Sequence, residues 1–268
     1  MTPDDVARRV VDAFDSMTLI QPLTDDDPEL DEAGAYAIAA AVHAQRVARG
    51  ERPVGRKIGF TNRTVWPLFG IDRPNWSWVY DTTTPQLGSG PWRLDIARLL
   101  QPRIEPEVQL HFARTPPAGA GEAEVLLSVD WIAHGFEIVH CPFPDWRFRA
   151  ADAIAACVYH GFLVVGPPVA LEPRDTDEWV ARLRDFTITL SRDGSEVATG
   201  GGADVLDSPV LAFAQLASLL SCQGAEPVRA GEIVTTGTLT NAMPIAPGQT
   251  WTTAVAGLAV PDASITFV

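Results

Sequence analysis

The chain has 268 residues, 46% of them hydrophobic and 20% charged, with a formal net charge of −14. That is enough for a substantial core, and the acidic balance argues against non-specific binding to nucleic acid or to an anionic membrane surface. Cys141, Cys157 and Cys222 are widely spaced with no CxxC pair, so a reducing cytoplasm is expected; no signal peptide is read at the N-terminus, and no apolar run reaches the roughly 20 residues of a bilayer span.

The first fifty residues read as helical. Val6, Val10, Val11 and Phe14 recur at helical spacing behind Asp4 and Asp5, which suit a helix N-terminus. An acidic linker is expected from Thr24 to Pro28, and then an alanine-rich helix from Asp31 to Ala48 that Gly50 stops. The character changes at Pro53. Val54 to Phe60 reads as a strand, Thr61 or Asn62 can cap a short helix to about Phe69, and Trp76, Trp78 and Tyr80 share one face of an aromatic strand. Thr82 to Pro91 is turn-rich.

The run from Pro102 to Arg114 alternates as a strand does. Period two places Glu105 and Glu107 on one face, opposite Ile104 and Val108. Thr115 to Gly121 is a loop, and Glu137 stands in a second β-prone segment among Phe136, Ile138 and Val139. A helix is expected from about Arg149 to His160, then a strand from Phe162 to Val165. Asp193-Gly194 signals a hairpin between Phe186–Leu190 and Glu196–Thr199. Gly200-Gly201-Gly202 reads as a loop, Pro209 to Ser221 as a helix, and the tail to Phe267 as turns and strands. The sum is an α+β protein.

Two readings of the glutamates stand open: a half-buried strand with a solvated acidic face, or a metal site. Like charges side by side repel unless a cation lies between them, and three carboxylates are hard-oxygen donors of the kind that suit Mg²⁺ or Mn²⁺. Lys57, the only lysine, lies between Gly55 and Gly59, which allow close approach of backbone to a ligand. It either binds or protonates an anionic substrate, or is a strand-end lysine with its head in water. His160 is either a proton carrier or a histidine favoured by a helix C-terminus. His134, His140 and Cys157 are expected to be packed, and the three glycines lack a dinucleotide-binding context.

Gly55-Arg56-Lys57-Ile58-Gly59-Phe60-Thr61, Arg103-Ile104-Glu105-Pro106-Glu107, Phe136-Glu137-Ile138-Val139 and Thr235-Thr236-Gly237-Thr238-Leu239 occur in this order. Together they resemble the 2-keto-4-pentenoate hydratase and 4-oxalocrotonate decarboxylase branch of the fumarylacetoacetate hydrolase superfamily. The resemblance implies that superfamily's β-rich fold, a mixed β-roll or sandwich over 53–268, preceded by a helical segment over 1–52. It implies Mg²⁺ or Mn²⁺ on Glu105, Glu107 and Glu137, with Lys57 as the site lysine and Arg56, Asn75 and Thr238 against the substrate. The implied reaction is hydration of a 2-hydroxy-dienoate in aromatic or related catabolism. The alternatives are decarboxylation of a 2-oxo acid, C–C hydrolysis of an acylpyruvate, or service as a catalytically impaired partner subunit. A homo-oligomer is implied, as is association with a related hydratase or decarboxylase subunit. Hydratases of the branch carry an aspartate where this chain has Asn75, and Asp and Asn where it has Ala156 and Cys157. His160 or Asp81 is therefore expected to replace the proton relay.

Overall fold

The computed structural model describes residues 1–88 and 90–268. Among the described residues the α-helices are α1 Pro3–Asp15, α2 Leu23–Asp26, α3 Glu32–Ala48, α4 Trp66–Phe69, α5 Glu122–Leu126, α6 Ala150–Ala155, α7 Thr176–Asp185 and α8 Pro209–Cys222. The strands are β1 Pro53–Gly59, β2 Asn75–Tyr80, β3 Trp92–Leu94, β4 Arg103–Phe112, β5 Val129–Val139, β6 His160–Val164 and β7 Val169–Ala170. They continue with β8 Thr187–Arg192, β9 Ser195–Gly201, β10 Ile233–Thr238, β11 Met243–Pro244, β12 Thr250–Ala256 and β13 Ser264–Phe267.

The large sheet runs β2-β1-β10-β4-β5-β6, with β11 on β4 and β7 on β5; the smaller one runs β3-β13-β12-β8-β9. Every large-sheet pairing is antiparallel except β1 with β10. This parallel pair brings the β1 and β4 segments, fifty residues apart, to either side of one strand. Among the described residues the buried hydrophobic side chains form three clusters. Ile104, Phe136 and Ile138 meet Trp251, Ile265 and Phe267 between the sheets. Phe112 and Val234 meet Phe213 and Leu216 of α8. The third cluster joins Val10, Ile38 and Val42 of α1 and α3 to Phe143, Ile154 and Tyr159, so the helical N-terminus shares its core with the β-rich part.

Several local expectations are corrected. The acidic linker contains α2, and its Thr24 is buried because its N–H and hydroxyl both donate to Asp152 (2.9 and 2.7 Å). The helix expected through His160 ends at Ala155, and Cys157, Val158 and Tyr159 are left-handed, with φ of 55°, 49° and 62°. His160 therefore starts β6 instead of ending a helix, and the helix-dipole reading of it lapses. Gly200 and Gly201 end β9, paired with Ile188 and Thr187, and are not a loop. Gly202–Cys222 has the length and apolarity of a membrane span, contrary to the sequence expectation, but half of it is buried and α8 packs Val210, Phe213, Leu216 and Leu220 into the main core. Asn62 caps the turn before α4 and Asp193-Gly194 forms the hairpin with φ of 50° and 81°, both as expected, while Asp31 caps α3 instead of opening it.

Candidate active site

β4 and β5 pair in a register that sets Glu105 opposite Glu137 and Glu107 opposite Gly135. Alternation then turns all three carboxylates to the sheet face away from Ile104, Phe136 and Ile138. One oxygen from each of Glu105, Glu107 and Glu137 lies within 4.8 Å of the others. Glu107 and Glu137 are fully buried, and Glu105 opens partly to the cavity above.

Each acid is held differently. One Glu107 oxygen accepts from the Thr235 hydroxyl and from the Gly237 N–H (2.8 Å), leaving the other free. Gly237 is needed there, because its φ is +105° and a Cβ would fall on the Thr61 hydroxyl. One Glu137 oxygen meets His160 Nδ1 at 2.8 Å, and the other ion-pairs with Lys57 Nζ at 2.8 Å without a well-aligned hydrogen bond. His160 Nε2 in turn lies 2.8 Å from the Thr83 hydroxyl. With Nδ1 donating to the carboxylate, Nε2 is left to accept.

Lys57 comes across from β1 and is buried; Nζ also donates to the carbonyl of Val158 at 2.9 Å. That carbonyl is available because the left-handed residues 157–159 turn it out of any helix. Gly59 admits the turn, since a Cβ there would stand 2.5 Å from Val158 Cγ1. The glycine beside the lysine thus makes room for neighbouring chain and not for a ligand.

Charge does not balance here. Burial acts to lower the Lys57 pKa, but the three carboxylates together outweigh it and the net direction is up. Glu137 is brought down: burial acts to raise it, but Lys57 and His160 prevail. Glu107 is pushed well above the usual carboxylate range, by burial first and then by Glu137 and Glu105. Glu105 is raised to about 7, mainly by burial, with Lys57 opposing and Glu137 adding. One ammonium cannot satisfy three buried carboxylates.

The cavity over these groups measures about 310 Å³. Lys57, Glu105, Glu107 and Thr238 line it, as expected from sequence. Five other expected site residues do not: Glu137 is fully buried and off the lining, and four more lie elsewhere. His160 lies behind Glu137 with both ring nitrogens engaged. The Asp81 carboxylate turns outward to Arg52 at 2.9 Å. Arg56 points to the opposite face of β1, because it precedes Lys57, and pairs with Glu232 at 2.7 Å. Asn75 is buried in a neighbouring cavity that shares Phe69 with the first.

Sequence reasoning missed Arg103, the Val158 carbonyl, Thr83, and the wall formed by Phe60, Phe69, Trp146, Phe148 and Tyr159. The crowding of aromatics from Phe143 to Phe148 was the available signal for the wall. The carbonyl had none. His134 and His140 are packed, as expected. His134 bonds the Glu107 carbonyl (3.0 Å) and Thr253 (2.9 Å), and His140 stacks on Phe14.

No family model matches the chain. It is 32% identical over 253 residues to 2-keto-4-pentenoate hydratase of Paraburkholderia xenovorans (strain LB400), covering 93% of this chain and 90% of that one. Its structure superposes with a TM-score of 0.88, at 26% identity, on 4-oxalocrotonate decarboxylase from Pseudomonas putida G7 complexed with magnesium and adipate, covering 99% of this chain and 97% of that one. A putative fumarylacetoacetate hydrolase family protein from Yersinia pestis CO92 shares the fold, with a TM-score of 0.57 at 12% identity over 81% of this chain and 94% of that one.

Proposed function

The chain belongs to the family of 2-keto-4-pentenoate hydratases and 4-oxalocrotonate decarboxylases, with the fumarylacetoacetate hydrolase fold, and from that premise we propose that it is a divalent-metal-dependent lyase that hydrates a 2-hydroxy-dienoate. One observation carries the reading: three converging carboxylates share a single lysine, and Lys57, Glu105 and Glu107 line the cavity above them. Glu105, Glu107 and Glu137 fit a hard divalent cation. The donors are all carboxylate oxygens, one Glu137 oxygen is buried without a hydrogen bond, and the surplus negative charge is what such an ion neutralises. When bound, Mg²⁺ or Mn²⁺ supplies Lewis-acid stabilisation of negative charge developing beside a ketone.

The chain's own residues supply the rest. Lys57 holds a proton at Nζ on the cavity wall, where it can be given to the dienol carbon and taken back. Thr235, the Gly237 N–H and His160 fix the orientation of Glu107 and Glu137, so His160 is a positioning residue here. The aromatic side of the cavity keeps bulk water from the reacting carbons.

Decarboxylation of a 2-oxo acid is the second reading, favoured by the near-complete superposition on the decarboxylase. The deciding experiment is turnover of a panel of 2-hydroxy-dienoates with added Mg²⁺, together with exchange of the C3 protons of a saturated 2-oxo acid in deuterium oxide. Metal-dependent exchange with a hydrated product is expected; CO₂ release favours the second reading. A chain that binds no Mg²⁺ and exchanges no protons is not a lyase of this kind.

A further inference from the structure

The cavity is not chemically uniform. Its far wall is a run of rings in contact: Phe60 lies 6.1 Å from Phe69, Phe69 stacks on Phe148 at 4.7 Å, Phe148 meets Tyr159 at 5.0 Å, and Tyr159 meets Trp146 at 5.2 Å. The run ends at Arg103, whose guanidinium sits 4.4 Å over the Trp146 ring. Arg103 and Lys57 are the two cations on the lining, and Lys57 is already engaged by Glu137 and Val158. Arg103 makes no ion pair among the described residues, although it stands two positions before Glu105 on the same face of β4. A flat guanidinium held on a ring keeps its forked donors available, and their natural complement is a carboxylate. At the other end, Val65, Leu68, Phe69 and Phe148 are apolar, and the lining beside them carries the neutral Asn62 amide but no cation.

We propose that this division selects the substrate: Arg103 anchors a carboxylate at the glutamate end, and the aromatic wall takes an uncharged hydrocarbon tail, so the enzyme prefers monocarboxylate 2-oxo acids over dicarboxylates. The proposal rests on the 2-oxo acid reading and deepens it. A second carboxylate at the tail would be partly desolvated against Val65, Phe69 and Phe148 with no cation to meet it, a cost that a methyl group there does not carry. Arg103 is thereby a substrate-binding residue and Phe148 a determinant of tail chemistry.

The test uses two saturated six-carbon probes with no double bond to hydrate, 2-oxohexanoate and 2-oxoadipate, titrated calorimetrically into the full-length protein with Mg²⁺. Wild type is expected to bind 2-oxohexanoate at least about tenfold more tightly. Arg103→Lys, which keeps the charge but loses the fork, is expected to weaken 2-oxohexanoate by about tenfold and, in turnover, to raise KM more than it lowers kcat. Leu68 is 77% exposed at the rim, so Leu68→Arg leaves the fold intact, and it is expected to shift the ratio toward 2-oxoadipate. Equal or tighter binding of 2-oxoadipate by wild type overturns the proposal, as does unchanged 2-oxohexanoate affinity in Arg103→Lys. If neither probe binds while Mg²⁺ does, the 2-oxo acid reading falls and this inference with it. If only the dicarboxylate binds, that reading stands and this inference alone is lost.

Discussion

Arg56 and Lys57 are consecutive on β1, yet the two faces of the sheet treat them differently. On one face Arg56 meets a single carboxylate, Glu232, at 2.7 Å, with Trp76 and Trp78 beside its guanidinium at 5.7 and 5.9 Å. Charge there is matched one to one, as in a buried structural pair. On the other face Lys57 meets three carboxylates and satisfies only Glu137 directly. A matched buried pair is complete within the protein; a three-to-one cluster is complete only with a further cation. The contrast separates a structural site from a working one without reference to any relative.

Substituting each side is the way to break this comparison. The largest effect is expected at the cluster: Glu137→Gln or Glu107→Gln should abolish calorimetric Mg²⁺ binding and lower kcat by roughly 10²–10³-fold. In EDTA, Glu107→Gln should unfold at the same urea concentration as wild type or at a higher one, because it removes a buried charge that Glu137 and Glu105 repel. A marked loss of stability in EDTA would make Glu107 structural after all.

The converse holds for Arg56→Met, which leaves the half-buried Glu232 carboxylate without its cation. It should cost about 3 kcal/mol in urea unfolding while leaving the Mg²⁺ isotherm unchanged. A changed isotherm would return Arg56 to the active site.

The smallest effect sharpens the comparison with a group that carries no charge when folded. His140 is buried against Phe14, and burial, with His160 and Arg46 adding, lowers its pKa to about 3 from an ordinary 6.5. The unfolded chain takes up this proton first. Its contribution is therefore whole above the ordinary value and is lost progressively as pH falls from 6.5 toward 3. His140→Phe should accordingly lose about 2 kcal/mol less than wild type between pH 7 and pH 5, measured by urea denaturation. Equal losses in both proteins would show that this histidine is not held neutral.

Much of this could be read from the chain in order. Strict alternation made the shared face of Glu105 and Glu107 legible, and Asn62 and Asp193-Gly194 carried their own cap and turn. Lys57 stood out because it is the only lysine. The residues that were misplaced share a cause: local sequence describes a residue's neighbours along the chain, whereas their roles depend on neighbours across it. Asp81 is two residues from Thr83, yet it is Thr83 that meets His160, while Asp81 is taken outward by Arg52.

The sequence by itself determined which strands carry acids on one face, because side-chain alternation is a property of the extended backbone alone. Only the tertiary structure decided that β4 and β5 would align Glu105 with Glu137, that β1 would reach them across β10, and that Arg56 would face away from them. It also decided the end of the α6 helix. Cys157, Val158 and Tyr159 carry no glycine or proline to announce a left-handed turn, and the conformation is held by their burial and by Lys57 on the Val158 carbonyl, contacts that exist only once the chain is folded.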